Sequence, residues 1–296
     1  MKSGSFVNIE TKREIEWLAG LPKNKQFHVG IRINLNLSKI APSDCDSEEE
    51  YSRFGFSYEN GELGSAIEQI TSYENVVLDG LHLHRTSKTR SLNVYKSICL
   101  YALKIIGDYN LKLRYIDVGG GYFGDMPGKP TYIDYVNCIH DVLSSGLDCE
   151  KLILLVEPGN ALIASPVSYY SEIIDVKNID GVKILVSDAT RNDVDPFFHK
   201  TDYFKDILSE VKDRACVPRQ VYVGCTCLET DRLFEMYDAP EMRVGDRVKF
   251  SFVGAYTSCL SPLFIRYFPR VYLYRNGEYE EIREEWTEKE YVQLSK

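Results

Sequence analysis

The sequence predicts an α/β first part built on a parallel sheet, followed by an all-β second part. Three observations carry that reading. Strand-like and helix-like periodicities alternate through the first half, short β-rich runs between turn residues replace them from about Pro166, and polar or glycine clusters recur where the first-half strands end.

Residues 26–35 form a β-rich run, 61–72 a short helix, 76–84 a second strand, and 91–109 a helix whose apolar residues recur about every 3.6 positions. The pattern then repeats. Residues 113–118 are β-rich and end in Gly119-Gly120-Gly121, 132–143 are helical, and 152–156 form a wholly apolar strand that stops at Glu157-Pro158-Gly159. Strands joined through helices pair in parallel, with right-handed crossovers. In the second part 169–176, 182–186, 220–223, 244–253 and 271–274 read as strands of a mainly antiparallel domain, with the boundary between residues 165 and 166. The acidic stretch 46–51 reads as a solvated loop.

At 296 residues and 44% hydrophobic content the chain can bury an ordinary core, as one large or two modest domains. It carries 44 acidic against 35 basic side chains, a net charge of −9, with no block of Lys and Arg. Neutralising a phosphate backbone needs clustered cations, so a nucleic-acid groove is excluded. No apolar run approaches the roughly 18–20 residues of a membrane span, and Met1-Lys2-Ser3-Gly4-Ser5 lacks the apolar core of a signal peptide. The expectation is a cytoplasmic protein with no membrane attachment, whose partner is a small molecule or another protein. The eight cysteines follow no disulfide rhythm and are expected to be thiols.

Chemistry concentrates at the strand ends. His82 and His84 end one first-half strand, the glycine run ends the next, and Glu157 with Gly159 ends the third; in a parallel α/β barrel those ends share one face. Gly119-x-Gly121-x-x-Gly124, with Asp141 downstream, also fits a dinucleotide fingerprint. That motif needs a helix starting inside the glycines, which Asp125-Met126-Pro127-Gly128-Lys129-Pro130 cannot propagate. The glycines Gly119, Gly120 and Gly121 can instead cradle a phosphate on bare amides, or simply make a tight turn. His82 and His84 share a strand face, as do Cys225 and Cys227, yet neither pair has zinc-loop spacing, so no metal is expected. His82 reads equally as a satisfied core histidine, whereas His84, followed by Arg85-Thr86-Ser87, is the better functional candidate. Glu157 at the mouth of a dry barrel needs a partner, which a protonated ring nitrogen would supply; a surface carboxylate before a Pro turn is the alternative. A ring-nitrogen carboxylate, a phosphate cradle and a stacking imidazole are what pyridoxal 5'-phosphate requires, the charged pyridinium being a sink for electrons released at a substrate Cα.

On these residues the sequence resembles the fold-type III, alanine-racemase-like pyridoxal-phosphate decarboxylases that act on ornithine, diaminopimelate and similar amino acids. Arg53-Phe54-Gly55 is similar to the family's Lys/Arg-Phe-Gly step, and residues 80–87 (Gly-Leu-His-Leu-His-Arg-Thr-Ser) to its Gly-Leu-His-x-His-x-Gly-Ser segment. Asp117-Val118-Gly119-Gly120-Gly121 matches its glycine triplet, and Glu157-Pro158-Gly159 its Glu-Pro-Gly-Arg turn. Asp188-Ala189, Gly224-Cys225-Thr226-Cys227 and Gly254-Ala255-Tyr256-Thr257 follow in family order. The resemblance implies a partial pyridoxal-phosphate-binding (β/α) TIM-like barrel over 1–165 and a C-terminal antiparallel β-domain over 166–296. It implies that His84 stacks on the coenzyme ring, that Ser87, Gly121, Gly159 and Tyr256 hold its phosphate beside Gly119 and Gly120, and that Glu157 holds its pyridine nitrogen. Cys227 would reprotonate Cα after carbon dioxide leaves, a task a thiol's pKa suits. Asp188 and Asp231 are the substrate-binding candidates. Because Cys227 and its neighbours serve the opposite subunit in the family, a homodimer is implied.

Departures from the pattern shape the expectation further. Family members carry, ahead of this region, a Tyr-Ala-x-Lys strand whose lysine holds the coenzyme as a Schiff base. Tyr101-Ala102-Leu103-Lys104 sits downstream of His84 in a helical pattern, so the lysine is expected from another segment or a complementing chain. Asn160 replaces the Arg after Glu-Pro-Gly, Leu228 an acidic residue after the cysteine, and Asp195-Pro196 an Arg-Pro tied to carboxylate recognition. The expected function is a carboxy-lyase acting on an amino acid or amino-acid-derived group, including one on a peptide or nucleotide metabolite. The alternative is a non-catalytic homologue acting as a binding or regulatory partner; a racemase fits the motif order less well. A barrel short of strands leaves open edges, so the isolated chain is expected to dimerise, rearrange or bind a complement.

Overall fold

The computed structural model describes residues 4–45 and 52–293, and the acidic stretch 46–51 lies outside the described residues. The chain separates into two compact units, Met1–Leu162 and Ile163–Lys296.

In the first unit the strands are β1 (Asn8–Ile9), β2 (Phe27–Asn34), β3 (Phe56–Ser57), β4 (Val76–His82), β5 (Tyr115–Asp117) and β6 (Ile153–Leu155). They alternate with α1 (Lys12–Leu18), α2 (Leu37–Ile40), α3 (Glu62–Thr71), α4 (Leu92–Tyr109) and α5 (Tyr132–Leu143), and α6 (Asn160–Ile163) follows. All pairings are parallel, in the order β1-β2-β4-β5-β6, with β3 on the end of β2. Local chemistry sets the helix starts. Thr11 and Thr131 each cap a helix in a reciprocal box, the latter with Asp134 Oδ2 accepting from the Thr131 N–H at 2.7 Å.

The core lies between the sheet and α3, α4 and α5: Val29, Ile31, Leu63, Ile70, Leu81, Ile105 and Ile116 are fully enclosed, each contributing about 1.5–3 kcal/mol. Tyr115 crosses the strands on the sheet, its hydroxyl donating to Asn8 Oδ1 at 2.7 Å. Gly30 and Gly80 make room for it; a Cβ at Gly80 would stand 2.1 Å from the ring.

Two details differ from the sequence reading. Strand β4 ends at His82 and not at residue 84, so His84 sits in the loop beyond it. The run at 152–156 reads as a wholly apolar strand, yet β6 pairs with β5 alone among the described strands, and Ile153 is 42% and Val156 44% exposed. Apolar composition reports what a strand can bury, not which neighbours it has.

The second unit holds β7 (Ser168–Ile179), β8 (Val182–Ser187), α7 (Arg191–Val194), β9 (Lys205–Leu208), β10 (Cys216–Val223), β11 (Arg232–Pro240), β12 (Arg247–Ser251), β13 (Val271–Arg275), β14 (Glu278–Arg283) and α8 (Glu288–Gln293). Six strands order as β11-β10-β8-β7-β12-β9, and among the described strands β13 pairs only with β14. Pairing is antiparallel except between β8 and β10. Tyr222 stacks on Phe234 at 4.8 Å and, with Phe250 and Leu185, forms a separate core. Among the described residues no helix is long and apolar enough to cross a membrane.

Candidate functional site

Strands β4, β5 and β6 are in register, pairing His82 with Asp117 and Asp117 with Leu155, so their C-terminal tips lie side by side. The ladder continues into the loops. Leu83 N–H donates to Asp117 O at 2.8 Å, Val118 N–H to Leu155 O at 3.2 Å, and Glu157 N–H to Gly119 O at 2.8 Å. Backbone bonds thus carry the strand spacing out to His84, the glycine run and Glu157.

The imidazole of His84 lies against the glycine loop. Gly120 N–H donates to His84 Nδ1 at 3.1 Å, which makes Nδ1 the acceptor and leaves the ring proton on Nε2. Gly119 has φ +71°, and a Cβ there would stand 2.3 Å from His84 Nδ1; a Cβ on Gly120 would stand 2.2 Å from Glu157 O. The glycines are therefore required by close approach as well as by the turn. Asp117 Oδ1 accepts from Gly119 N–H at 2.9 Å, and the Tyr95 hydroxyl donates to Gly120 O at 2.8 Å, the Tyr95 ring being stacked on Tyr122 at 4.9 Å. Ser87 Oγ accepts from Arg90 N–H at 3.1 Å and keeps its own proton to donate elsewhere.

His82 is buried and its Nε2 makes no hydrogen bond among the described residues, although Glu157 Oε2 lies 3.6 Å away. The Glu157 side chain is 50% exposed. Burial lowers the pKa of both histidines; Arg32 adds to this, and the nearby carboxylates oppose it without reversing it. Both rings are consequently neutral at pH 7. Ligating atoms of His82, Asp117 and Glu157 lie within 4.8 Å of one another, a spacing that also suits a cation. One Asp117 oxygen is already spent on the glycine loop.

In the second unit the carboxylates are engaged. Asp188 follows β8 and its Oδ1 accepts from Glu172 N–H at 2.8 Å. Asp231 is buried, and its carboxylate accepts from Arg191 N–H at 2.7 Å, Thr226 N–H at 3.2 Å and Thr226 Oγ1–H at 2.5 Å. Its bonds tie down the loop bearing Cys225 and Cys227. Asp195, which replaces the Arg of the Arg-Pro step, is buried in the fold: it accepts from Arg191 Nε at 3.1 Å and Nη2 at 2.9 Å and from Lys200 N–H at 2.9 Å. Cys227 and Tyr256 are exposed, the latter at φ +61°. Cys225 is half-buried, with Sγ 4.0 Å from Arg266 Nη1.

Sequence reasoning passed over Tyr95, Asp117 as a loop anchor, and Asp193, whose Oδ2 accepts from the Tyr169 hydroxyl at 2.8 Å. Burial pushes the Asp193 carboxyl up to about 6. Asp117 was readable from its place directly before the glycines; Tyr95 and Asp193 depend on contacts with elements distant in the chain.

A parallel sheet joined through helices, with a carboxylate, a glycine loop and an imidazole on adjacent strand tips, is the arrangement of an α/β barrel with its chemistry at the C-terminal strand ends. The model for the pyridoxal-dependent decarboxylase pyridoxal binding domain matches residues 2–164, more than half of the chain, and the chain belongs to that family. A probable chloroplastic diaminopimelate decarboxylase from Oryza sativa subsp. japonica is 24% identical over 271 residues, which is 88% of this chain and 54% of that protein. Diaminopimelate decarboxylase from Zymomonas mobilis is 28% identical over 280 residues, 88% of this chain and 62% of that one. The chain thus spans between half and two thirds of the curated relatives it matches. Among solved structures, diaminopimelate decarboxylase from Helicobacter pylori complexed with L-lysine superposes with TM-score 0.77 at 21% identity, covering 98% of this chain and 73% of that one. An arginine decarboxylase from Paramecium bursaria Chlorella virus gives 0.69 at 20%, covering 87% and 68%. The fold is accordingly a TIM-like barrel with a β-domain, here over part of the relatives' length.

The residues present fit the family's coenzyme. An open carboxylate beside an unbonded buried imidazole nitrogen can accept a ring N–H, while the missing Cβ atoms of Gly119 and Gly120 let the His84 ring and the Glu157 backbone close up against the loop.

Proposed function

We propose that this chain binds pyridoxal phosphate at the β4–β6 tips and takes part in removing the carboxylate from an amino acid or amino-acid-derived group. The observation that carries the reading is the half-exposed Glu157 carboxylate 3.6 Å from a buried, unbonded His82 Nε2, next to the glycine loop. Buried polar atoms are ordinarily satisfied, so one left open at a strand tip marks a place for a ligand.

When bound, the coenzyme supplies an electron sink for the charge left at Cα as carbon dioxide departs. Glu157 would hold the protonated pyridine nitrogen, and the neutral His84 ring would lie on the coenzyme face without adding a competing charge. The amides of Gly119 and Gly120, expected from the sequence to cradle the phosphate, are engaged by Asp117 Oδ1 and His84 Nδ1, so on the family pattern Gly121, Ser87, Gly159 and Tyr256 would hold it. Cys227 Sγ–H would return a proton to Cα, and Asp188 would orient the substrate. As in the family pattern, Cys227 would act in a second copy's site, which makes a homodimer the working form.

The look-alike Lys104 lies within α4, away from the strand tips of the motif, and the lysine would be supplied by another segment or a complementing chain. Asp231 and Asp195 are saturated by the fold, and Leu228 stands where an acidic residue binds a distal amine. The substrate's distal end therefore differs from that of diaminopimelate. Asn160, in place of the arginine, favours a second reading in which the coenzyme is held weakly and the chain partners an active relative.

A titration separates these. Binding of pyridoxal phosphate, followed by visible absorbance, is expected for the chain and not for Glu157→Ala. Carbon dioxide release from a candidate amino acid is expected once the lysine-bearing segment is present. No absorbance change with saturating coenzyme refutes the first reading; binding without release leaves the second.

A further inference from the structure

Asp44 lies in a single helical turn after α2, far in sequence from the strand tips, and has no place in the motif pattern. It is nonetheless buried, and its carboxylate collects donors from the segment that carries Ser87. Thr89 Oγ1–H and Ser91 Oγ–H both reach Oδ1, the latter at 2.7 Å, and Asn93 Nδ2 donates to Oδ2 at 2.9 Å. The Asp44 carbonyl accepts from Lys88 N–H at 2.9 Å. Residues 88, 89, 91 and 93 are thereby tied to Asp44, while the Tyr135 hydroxyl donates to Arg90 O at 2.6 Å.

Ser91 shows what this arrangement displaces. It occupies the N-cap of α4, where a serine oxygen ordinarily accepts from the first turn, but it makes no side-chain cap and gives its proton to Asp44 instead. Burial alone would raise the Asp44 carboxyl, yet the bonds from Thr89, Asn93, Ser91 and Ser43 together hold it below the usual range, so it is an anion at neutral pH. A bare anion would repel a phosphate nearby. This one has its charge spread over hydroxyl and amide donors, which suits it to scaffold the loop and not to bind the ligand.

We propose that Asp44 is the positioning residue of the phosphate loop, holding Lys88, Thr89, Ser91 and Asn93 so that Ser87 is presented to the phosphate of bound pyridoxal phosphate. The inference rests on the coenzyme reading above and deepens it. It predicts an effect on phosphate recognition specifically, which a general packing role does not.

The test measures dissociation constants for pyridoxal phosphate and for pyridoxal, which lacks the phosphate, by fluorescence titration of the full chain. Wild type is expected to prefer the phosphorylated ligand. Asp44→Ala is expected to weaken pyridoxal phosphate about 10-fold and pyridoxal by less than about 2-fold. Asp44→Asn keeps the shape and serves if the alanine variant does not fold; it should lose part of the same preference. Because Asp44 acts through Ser87, adding Asp44→Ala to Ser87→Ala should cost little beyond Ser87→Ala alone. Equal losses for both ligands, or a preference unchanged in both Asp44 variants, overturns the inference while leaving the coenzyme site standing. Failure of wild type to bind pyridoxal phosphate overturns the site itself.

Discussion

The strand tips of the first unit and the motif carboxylates of the second treat their polar groups in opposite ways. At the strand tips of the first unit a carboxylate stands half in solvent beside an imidazole nitrogen with no hydrogen bond. In the second unit Asp231 and Asp195 are enclosed and each accepts at least three donors. Both kinds of carboxylate look alike as letters in a motif. What separates them is whether the fold has already satisfied them, and only the unsatisfied kind has bonding capacity left for a ligand.

The largest stability effect should fall where saturation is greatest. Asp231→Ala leaves Arg191 N–H and both Thr226 donors without their acceptor and should cost about 3 kcal/mol, read as a lower urea midpoint. A loss below about 1 kcal/mol would blur the contrast between the units.

Almost as large is a pH effect. Burial pushes Asp193 up to about 6, above its unfolded value, so the folded chain binds that proton more tightly. The Asp193 contribution to stability is therefore fully present below about pH 4 and is lost, by about 3 kcal/mol in all, as pH rises through about 6. Asp193→Asn should flatten that slope in urea unfolding at several pH values. Asp246 works in the other direction: burial raises it, but Arg214 and the bonds around it prevail and hold it low, so its contribution is lost only in more acidic solution.

Smaller again is Tyr95→Phe, which removes the donor to Gly120 O but keeps the stacked ring; about 1 kcal/mol is expected, with weaker coenzyme binding as the glycine loop loosens. Smallest in stability is Glu157→Gln. Thermal unfolding should move by less than about 0.5 kcal/mol, while coenzyme affinity falls, because the residue serves a ligand and not the fold. A Glu157→Gln protein that unfolds readily would show the first unit to be no different from the second.

How much of this was legible in the sequence follows the same division. The alternation up to residue 159 marks helices and strands by period, and α5 matches the expected 132–143. His84, Glu157 and the three glycines were readable because strand ends and bare amides leave local traces. The strands β9, β11 and β14 were not, since Lys205–Leu208 and Glu278–Arg283 are largely exposed and carry no apolar alternation. Nor could spacing tell that Asp231 is consumed by Thr226 and Arg191, or that Asp44 reaches Asn93; those facts arise from packing between distant segments. The parallel pair of β8 and β10 inside an otherwise antiparallel sheet is likewise a matter of topology, which composition does not record.

Tyr115 lying across Gly30 and Gly80 has a bearing on how this barrel can diverge. A methyl group at either glycine would collide with the phenol, and a smaller residue in its place would leave Asn8 without its donor and a hole among the strands. Those three positions are bound to drift together, and a lineage that altered one first would have to cross a valley of poorly folding intermediates.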